Sequence, residues 1–138
     1  MPYNWRGGDY EAVGHYGYPD YPDGSLRTGA EQLGRFLAMG LGRGSLDERV
    51  YLEAATFEEM LRPQYPALDR TQGLGWYSWT VAGEEIWGHT GGDVGVATEV
   101  GLRLSDSSGY LVLQNSQGIG SVPGGTLARL LLEAEAEL

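Results

Sequence analysis

Trp87-Gly88-His89-Thr90-Gly91-Gly92-Asp93-Val94-Gly95-Val96-Ala97-Thr98-Glu99-Val100 sets an imidazole, a hydroxyl and a glycine pair where one extended run gives way to another. A backbone without side chains at Gly91 and Gly92 can come close to a ligand and aim its N–H groups at it. Acyl-transfer sites build oxyanion holes from such groups. By spacing alone, His89 and Thr90 finish a strand and the two glycines make a bend.

The flanking residues continue the extended pattern. Trp76, Tyr77, Ser78, Trp79 and Thr80 are strand formers, Ala82-Gly83 is a turn, and Glu85-Ile86-Trp87 starts a partner strand leading into a corner at Gly91-Gly92. Two further strands are expected over 94–104 and 110–114, joined by a hairpin loop at Ser105-Asp106-Ser107-Ser108-Gly109. Short strands linked by tight turns make an antiparallel meander, because a parallel sheet would need helical crossovers. A last helix from about Gly124 is expected to bury Leu127, Leu130, Leu131, Ala134 and Leu138 on one face. Glu133, Glu135 and Glu137 sit where negative charge opposes the helix dipole, so its end should fray.

Upstream, residues 1–27 are rich in Tyr, Pro, Gly and Asp and read as a loop segment without regular structure. Asp20, Asp23 and Gly24 lack the alternating ligands and terminal Glu of a calcium loop, so they read as turn residues. Thr28 and Glu31 have the spacing of a capping box, followed by Leu33, Phe36, Leu37 and Leu41 at helical period, which predicts a helix over 29–41. Gly40, Gly42 and Gly44 end it. A short extended piece at Val50-Tyr51-Leu52 precedes a second helix over 54–61, with Phe57, Met60 and Leu61 inward and Pro63 as its stop. The fold class is therefore α+β: an antiparallel sheet with a C-terminal helix on one face and a small helical section before the sheet. Residues 1–138 form a single domain or part of one, divided into a loop-rich segment 1–27, a helical section 28–72, and strands plus the last helix over 73–138.

Several blocks in this order carry a resemblance. They are Pro22 to Phe36 (PDGSLRTGAEQLGRF), Met60-Leu61-Arg62-Pro63-Gln64, Gly73-Leu74-Gly75-Trp76, His89-Thr90-Gly91-Gly92 and Leu111-Val112-Leu113-Gln114-Asn115. The chain resembles the C-terminal part of the serine β-lactamase and penicillin-binding-protein superfamily, of class C type. His89-Thr90-Gly91 stands where most members have Lys-Thr-Gly. The resemblance implies hydrolysis of an ester, amide or lactam through an acyl-enzyme in the complete protein. It also implies that His89 binds an anionic substrate group or tunes proton transfer, that Thr90 hydrogen-bonds substrate, and that the Gly92 N–H gives half an oxyanion hole, with Asp93 beside it on the substrate side. With these blocks around it, the stretch reads as an active-site wall.

The departures define what is missing. All nine Lys and Arg residues are Arg, so the family's Ser-x-x-Lys motif is absent, and no Tyr or Ser is followed two positions later by Asn. A Gly-x-Ser-x-Gly elbow does not occur either, and Ser25, Ser78 and Ser116 read as turn or strand residues. The adjacent carboxylates Glu58-Glu59 and Glu84-Glu85 do not face each other across a site. With two histidines, His15 and His89, and no Cys, the chain is expected to hold no metal and no cofactor.

A net charge of −10 argues against nucleic acid and anionic membranes, both of which are bound through Lys and Arg. There is no signal peptide and no apolar run long enough to span a bilayer, so a native Met1 implies a cytoplasmic protein. The chain alone is expected to be inactive. Its expected partner is a second copy, as a homodimer or larger homo-oligomer, or a complementary N-terminal half carrying the serine. Trp76, Trp79 and Trp87 are read as core and cross-strand packing; the alternative is an exposed aromatic patch that invites self-association.

Overall fold

Two-residue turns organise the sheet. Ala82 and Gly83 both adopt positive φ, 52° and 90°, the geometry that reverses a chain between twisted antiparallel strands. In the computed structural model, which describes residues 1–17, 19, 21–116 and 125–135, this turn joins β5 (Tyr77–Val81) to β6 (Glu84–Asp93). β7 (Val96–Arg103) and β8 (Ser108–Gln114) follow, giving a four-stranded antiparallel sheet in the order β5-β6-β7-β8. Before it come β1 (Tyr3–Arg6), β2 (Asp9–Ala12), α1 (Ala30–Leu41), the two-residue strands β3 (Ser45–Leu46) and β4 (Arg49–Val50), and α2 (Ala54–Leu61). α3 (Thr126–Glu135) comes last. The α+β architecture and the meander are as the sequence implies.

Side-chain alternation along the strands divides the core in two. Leu102 and Trp87 look to one face, where Leu37 of α1, Phe57 and Leu61 of α2, and Trp76 close over them. Ile86, Val81 and Tyr110 look to the other, against Ala128 and Leu132 of α3. The sheet thus lies between the helical section and the last helix. Gly101 permits the close packing of the second face: a Cβ there would lie 2.5 Å from Tyr110 Cε1 and 2.7 Å from Ile86 Cγ2.

Several details differ from the sequence reading. Residues 3–12 form an antiparallel hairpin, not an irregular loop; it is tied to the sheet by Tyr3 N–H donating to Asn115 O at 2.9 Å. The Thr28/Glu31 capping box does not form. Gly29 is the N-cap of α1 and makes no side-chain cap, and the Gln32 carboxamide packs over it instead. The corner expected at Gly91-Gly92 is absent: β6 runs unbroken to Asp93, and the chain reverses at Val94-Gly95, where Gly95 takes φ 77°. α3 is rotated from the expected face. Ala128 and Leu132 are buried, whereas Leu127, Leu130 and Leu131 are 47%, 50% and 45% exposed. The apolar residues keep the helical period, but two apolar stripes share this helix, and the one carrying Ala128 and Leu132 packs on the sheet. Trp76 and Trp87 are buried, so the exposed aromatic patch does not form from them. Asp20, Gly124, Glu137 and Leu138 lie outside the described residues.

The two open-sheet glycines make a direct comparison. Gly101→Ala forces Tyr110 or Ile86 to move and should cost about 1–3 kcal/mol in urea unfolding. Gly92→Ala meets nothing within 4 Å and should stay within roughly 0.5 kcal/mol of the parent.

Candidate active site

β6 brings the residues singled out in the sequence to one end of the sheet. Pairing with β7 sets His89 opposite Val100, Thr90 opposite Glu99, Gly91 opposite Thr98, Gly92 opposite Ala97 and Asp93 opposite Val96. Gly91 is needed where it stands, because a Cβ would lie 2.5 Å from Thr98 Oγ1, whose hydroxyl donates to Gly91 O at 3.3 Å. Gly92 is exposed, with open space where a side chain would be.

An open cleft of about 710 Å³ lies at this end. Thr90, Gly91, Gly92 and Asp93 line it from β6, while His15 and Arg27 enter from the segment before α1. Arg27 is held there by donating to Tyr16 O at 2.7 Å. The sequence had left both outside the site, because nothing in their spacing ties residues 15 and 27 to residue 90. Asp93 accepts the Val94 N–H at 2.7 Å, so its carboxylate also braces the β6–β7 turn.

His89 does not line the cleft. Its ring is exposed, with Nδ1 2.6 Å from Thr90 O and its face or edge against Tyr77 at 5.3 Å between centroids. A carbonyl oxygen can only accept, so Nδ1 carries the proton and Nε2 of the neutral ring is left as an acceptor. Thr90 is held by Tyr77, whose hydroxyl lies 2.7 Å from Thr90 Oγ1 and accepts the Thr90 N–H at 3.2 Å. Tyr77 was read only as a strand former. Its contact was nonetheless accessible, since a two-residue turn at Ala82-Gly83 sets Tyr77 opposite Gly88 and diagonal to Thr90.

Next to Thr90 the sheet buries a carboxylate. Glu99 is 5% exposed and accepts a hydrogen bond from the Tyr110 hydroxyl. Burial first, and the adjoining Glu99 carboxylate second, push the Tyr110 phenol far above its ordinary value. The Trp79 indole N–H lies close enough to that hydroxyl to oppose the shift slightly, yet it has no hydrogen bond of normal geometry. Trp79 Nε1 is a buried donor without a hydrogen-bond partner. Among the described residues, no three His, Asp or Glu side chains converge to hold a metal ion.

A meander covered by helices on both faces, with a cleft at one end of β6, is an α+β fold. A family model described as Beta-lactamase matches residues 1–134, and the chain belongs to that family. No curated protein and no solved structure matches it.

The Tyr110 site predicts an alkaline signature. The folded chain holds this phenol proton more tightly than the unfolded chain, where tyrosine titrates near 10. Its contribution to stability is therefore complete below that pH and lost as pH rises above it. Urea unfolding across this range should show the decline, and Tyr110→Phe should flatten it while costing about 1–3 kcal/mol at neutral pH by removing a donor from buried Glu99.

Proposed function

We propose that this chain supplies the His-Thr-Gly-Gly wall of an acyl-transfer site acting on an ester, amide or lactam, and is inactive alone. The observation that carries the reading is the Gly92 N–H. Residues two apart in an antiparallel strand direct their backbone groups to the same side. Because the Thr90 N–H points away from β7 toward Tyr77, the Gly92 N–H points the same way, at an exposed position lining the cleft. A carbonyl oxygen seated there would meet a donor fixed by the sheet before reaction begins, which is what stabilises a developing oxyanion.

In this reading Thr90 hydrogen-bonds substrate and Asp93 borders the substrate side, while His89, exposed but outside the cleft lining, would reach only a substrate group that extends beyond the cleft. The acyl-enzyme needs a nucleophile and a base to activate it. With no lysine in the chain, no Ser-x-x-Lys pair can form within it. The serine would come from a complementary N-terminal half.

A second reading, a non-catalytic module that binds itself or a partner, is favoured by the outward stripe of Leu127, Leu130 and Leu131 on α3. The unpaired outer edge of β8 among the described strands adds a second sticky element. Two copies meeting through the same stripe would form an isologous dimer.

One experiment separates these. The chain, its assembly mass first fixed by light scattering, is incubated with a fluorophosphonate and separately with benzylpenicillin, and its intact mass is read. We expect no adduct from the isolated chain, and a stoichiometric adduct at one serine would overturn its inactivity. A dimer that Leu130→Glu with Leu131→Glu converts to monomer would support the self-associating module; a strict monomer at all concentrations would count against it.

A further inference from the structure

We propose that Tyr77 is a positioning residue for this wall: it fixes the Thr90 hydroxyl as a hydrogen-bond donor and makes Gly92 the first open N–H on the β6 edge. The use of that arrangement rests on the acyl-transfer reading above; the arrangement itself rests on hydrogen bonds alone.

β5 ends its pairing with β6 at Tyr77, opposite Gly88. Beyond that point the outer edge of β6 has no described strand against it, and Thr90 carries the next outward N–H. The Tyr77 hydroxyl takes the place a further β5 residue would have filled, accepting that N–H at 3.2 Å and lying 2.7 Å from Thr90 Oγ1. Its ring is gripped on two sides, by Trp79 at 5.2 Å and His89 at 5.3 Å between centroids.

A phenol oxygen has one hydrogen and two lone pairs. One lone pair is used by the Thr90 N–H. Of the two hydroxyls, the phenol is the stronger acid and so the better donor, which directs the Tyr77 proton onto Thr90 Oγ1. The Thr90 hydroxyl hydrogen is then left to donate to a ligand. Without this neighbour the Thr90 hydroxyl hydrogen turns about its C–O bond and presents donor or lone pair indifferently.

The same contact closes the edge. A ligand lying extended along β6 cannot pair with Thr90, whose N–H is occupied, and must enter at Gly92. The ligand's register is therefore set by a side chain from the neighbouring strand. A purely structural Tyr77 would serve packing through its ring, and the ring survives in Tyr77→Phe.

The test compares wild type with Tyr77→Phe in the full chain by nuclear magnetic resonance. In wild type we expect one Thr90 χ1 rotamer and slow exchange of the Thr90 amide. In Tyr77→Phe, Thr90 should average its rotamers and its amide should exchange roughly five- to tenfold faster, the loss of one hydrogen bond. The Val100 amide, within the β6–β7 ladder, should not change. Titration with benzylpenicillin should shift the Thr90 and Gly92 amides in wild type, with affinity roughly fivefold weaker in Tyr77→Phe. Unchanged rotamer and exchange at Thr90 in the variant would overturn the positioning role. Penicillin that moves neither amide in wild type would instead overturn the acyl-transfer reading, and the exchange comparison would still decide the role of Tyr77. Thr90→Ser, which keeps the hydroxyl, should retain wild-type affinity; an equal loss in Thr90→Ser and Thr90→Val would count against hydroxyl donation.

Discussion

The register of four antiparallel strands is the constraint on which the structure depends. Val81 pairs with Glu84, Asp93 with Val96 and Arg103 with Ser108, so each tight turn fixes the alignment of everything behind it. A slip of one residue would turn Trp87 and Leu102 from the α1–α2 side to the α3 side, and Ile86 and Tyr110 the other way. Both cores would be lost together. The same alignment sets Thr90 between Tyr77 on its diagonal and Glu99 opposite, so the candidate site and the packing share one cause.

Legibility in the sequence followed the range of the interaction. Helix α2 was readable to the residue because Phe57 and Leu61 repeat at helical spacing and Pro63 stops the chain. The meander was readable because strand formers alternate with turn residues. What failed was choice between local options of similar energy. Gly91-Gly92 has the chemistry of a bend, but the backbone bonds to β7 keep it extended, and the bend falls at Val94-Gly95 instead. The Thr28 cap does not form because the helix starts one residue later, with Gly29 as its N-cap. The hairpin over 3–12 escaped notice because its strands are half or fully exposed and lack an apolar face for periodicity to detect.

For the site, the sequence named the strand but not its neighbours. His89, Thr90, Gly91, Gly92 and Asp93 are contiguous and were found as a block. Arg27 and His15 reach the cleft through the path of an irregular segment, which no local pattern encodes. Glu99 is buried with a phenol donor beside it from the next strand, a pairing that no local pattern encodes. A buried carboxylate costs free energy unless it is hydrogen-bonded, and Tyr110, eleven residues away in the chain, answers that cost.

The geometry of this strand is fixed by its own neighbours. The Thr90 hydroxyl and the Gly92 N–H are oriented by backbone pairing with β7 and by the Tyr77 hydroxyl. A histidine at position 89 gives that point of the strand a directional polar group. Lysine's ammonium offers donors in every direction, whereas His89 commits Nδ1 to its own strand and presents a single Nε2, an acceptor when the ring is neutral and a donor when it is charged. The side chain is thereby directional, while the strand beneath it is fixed.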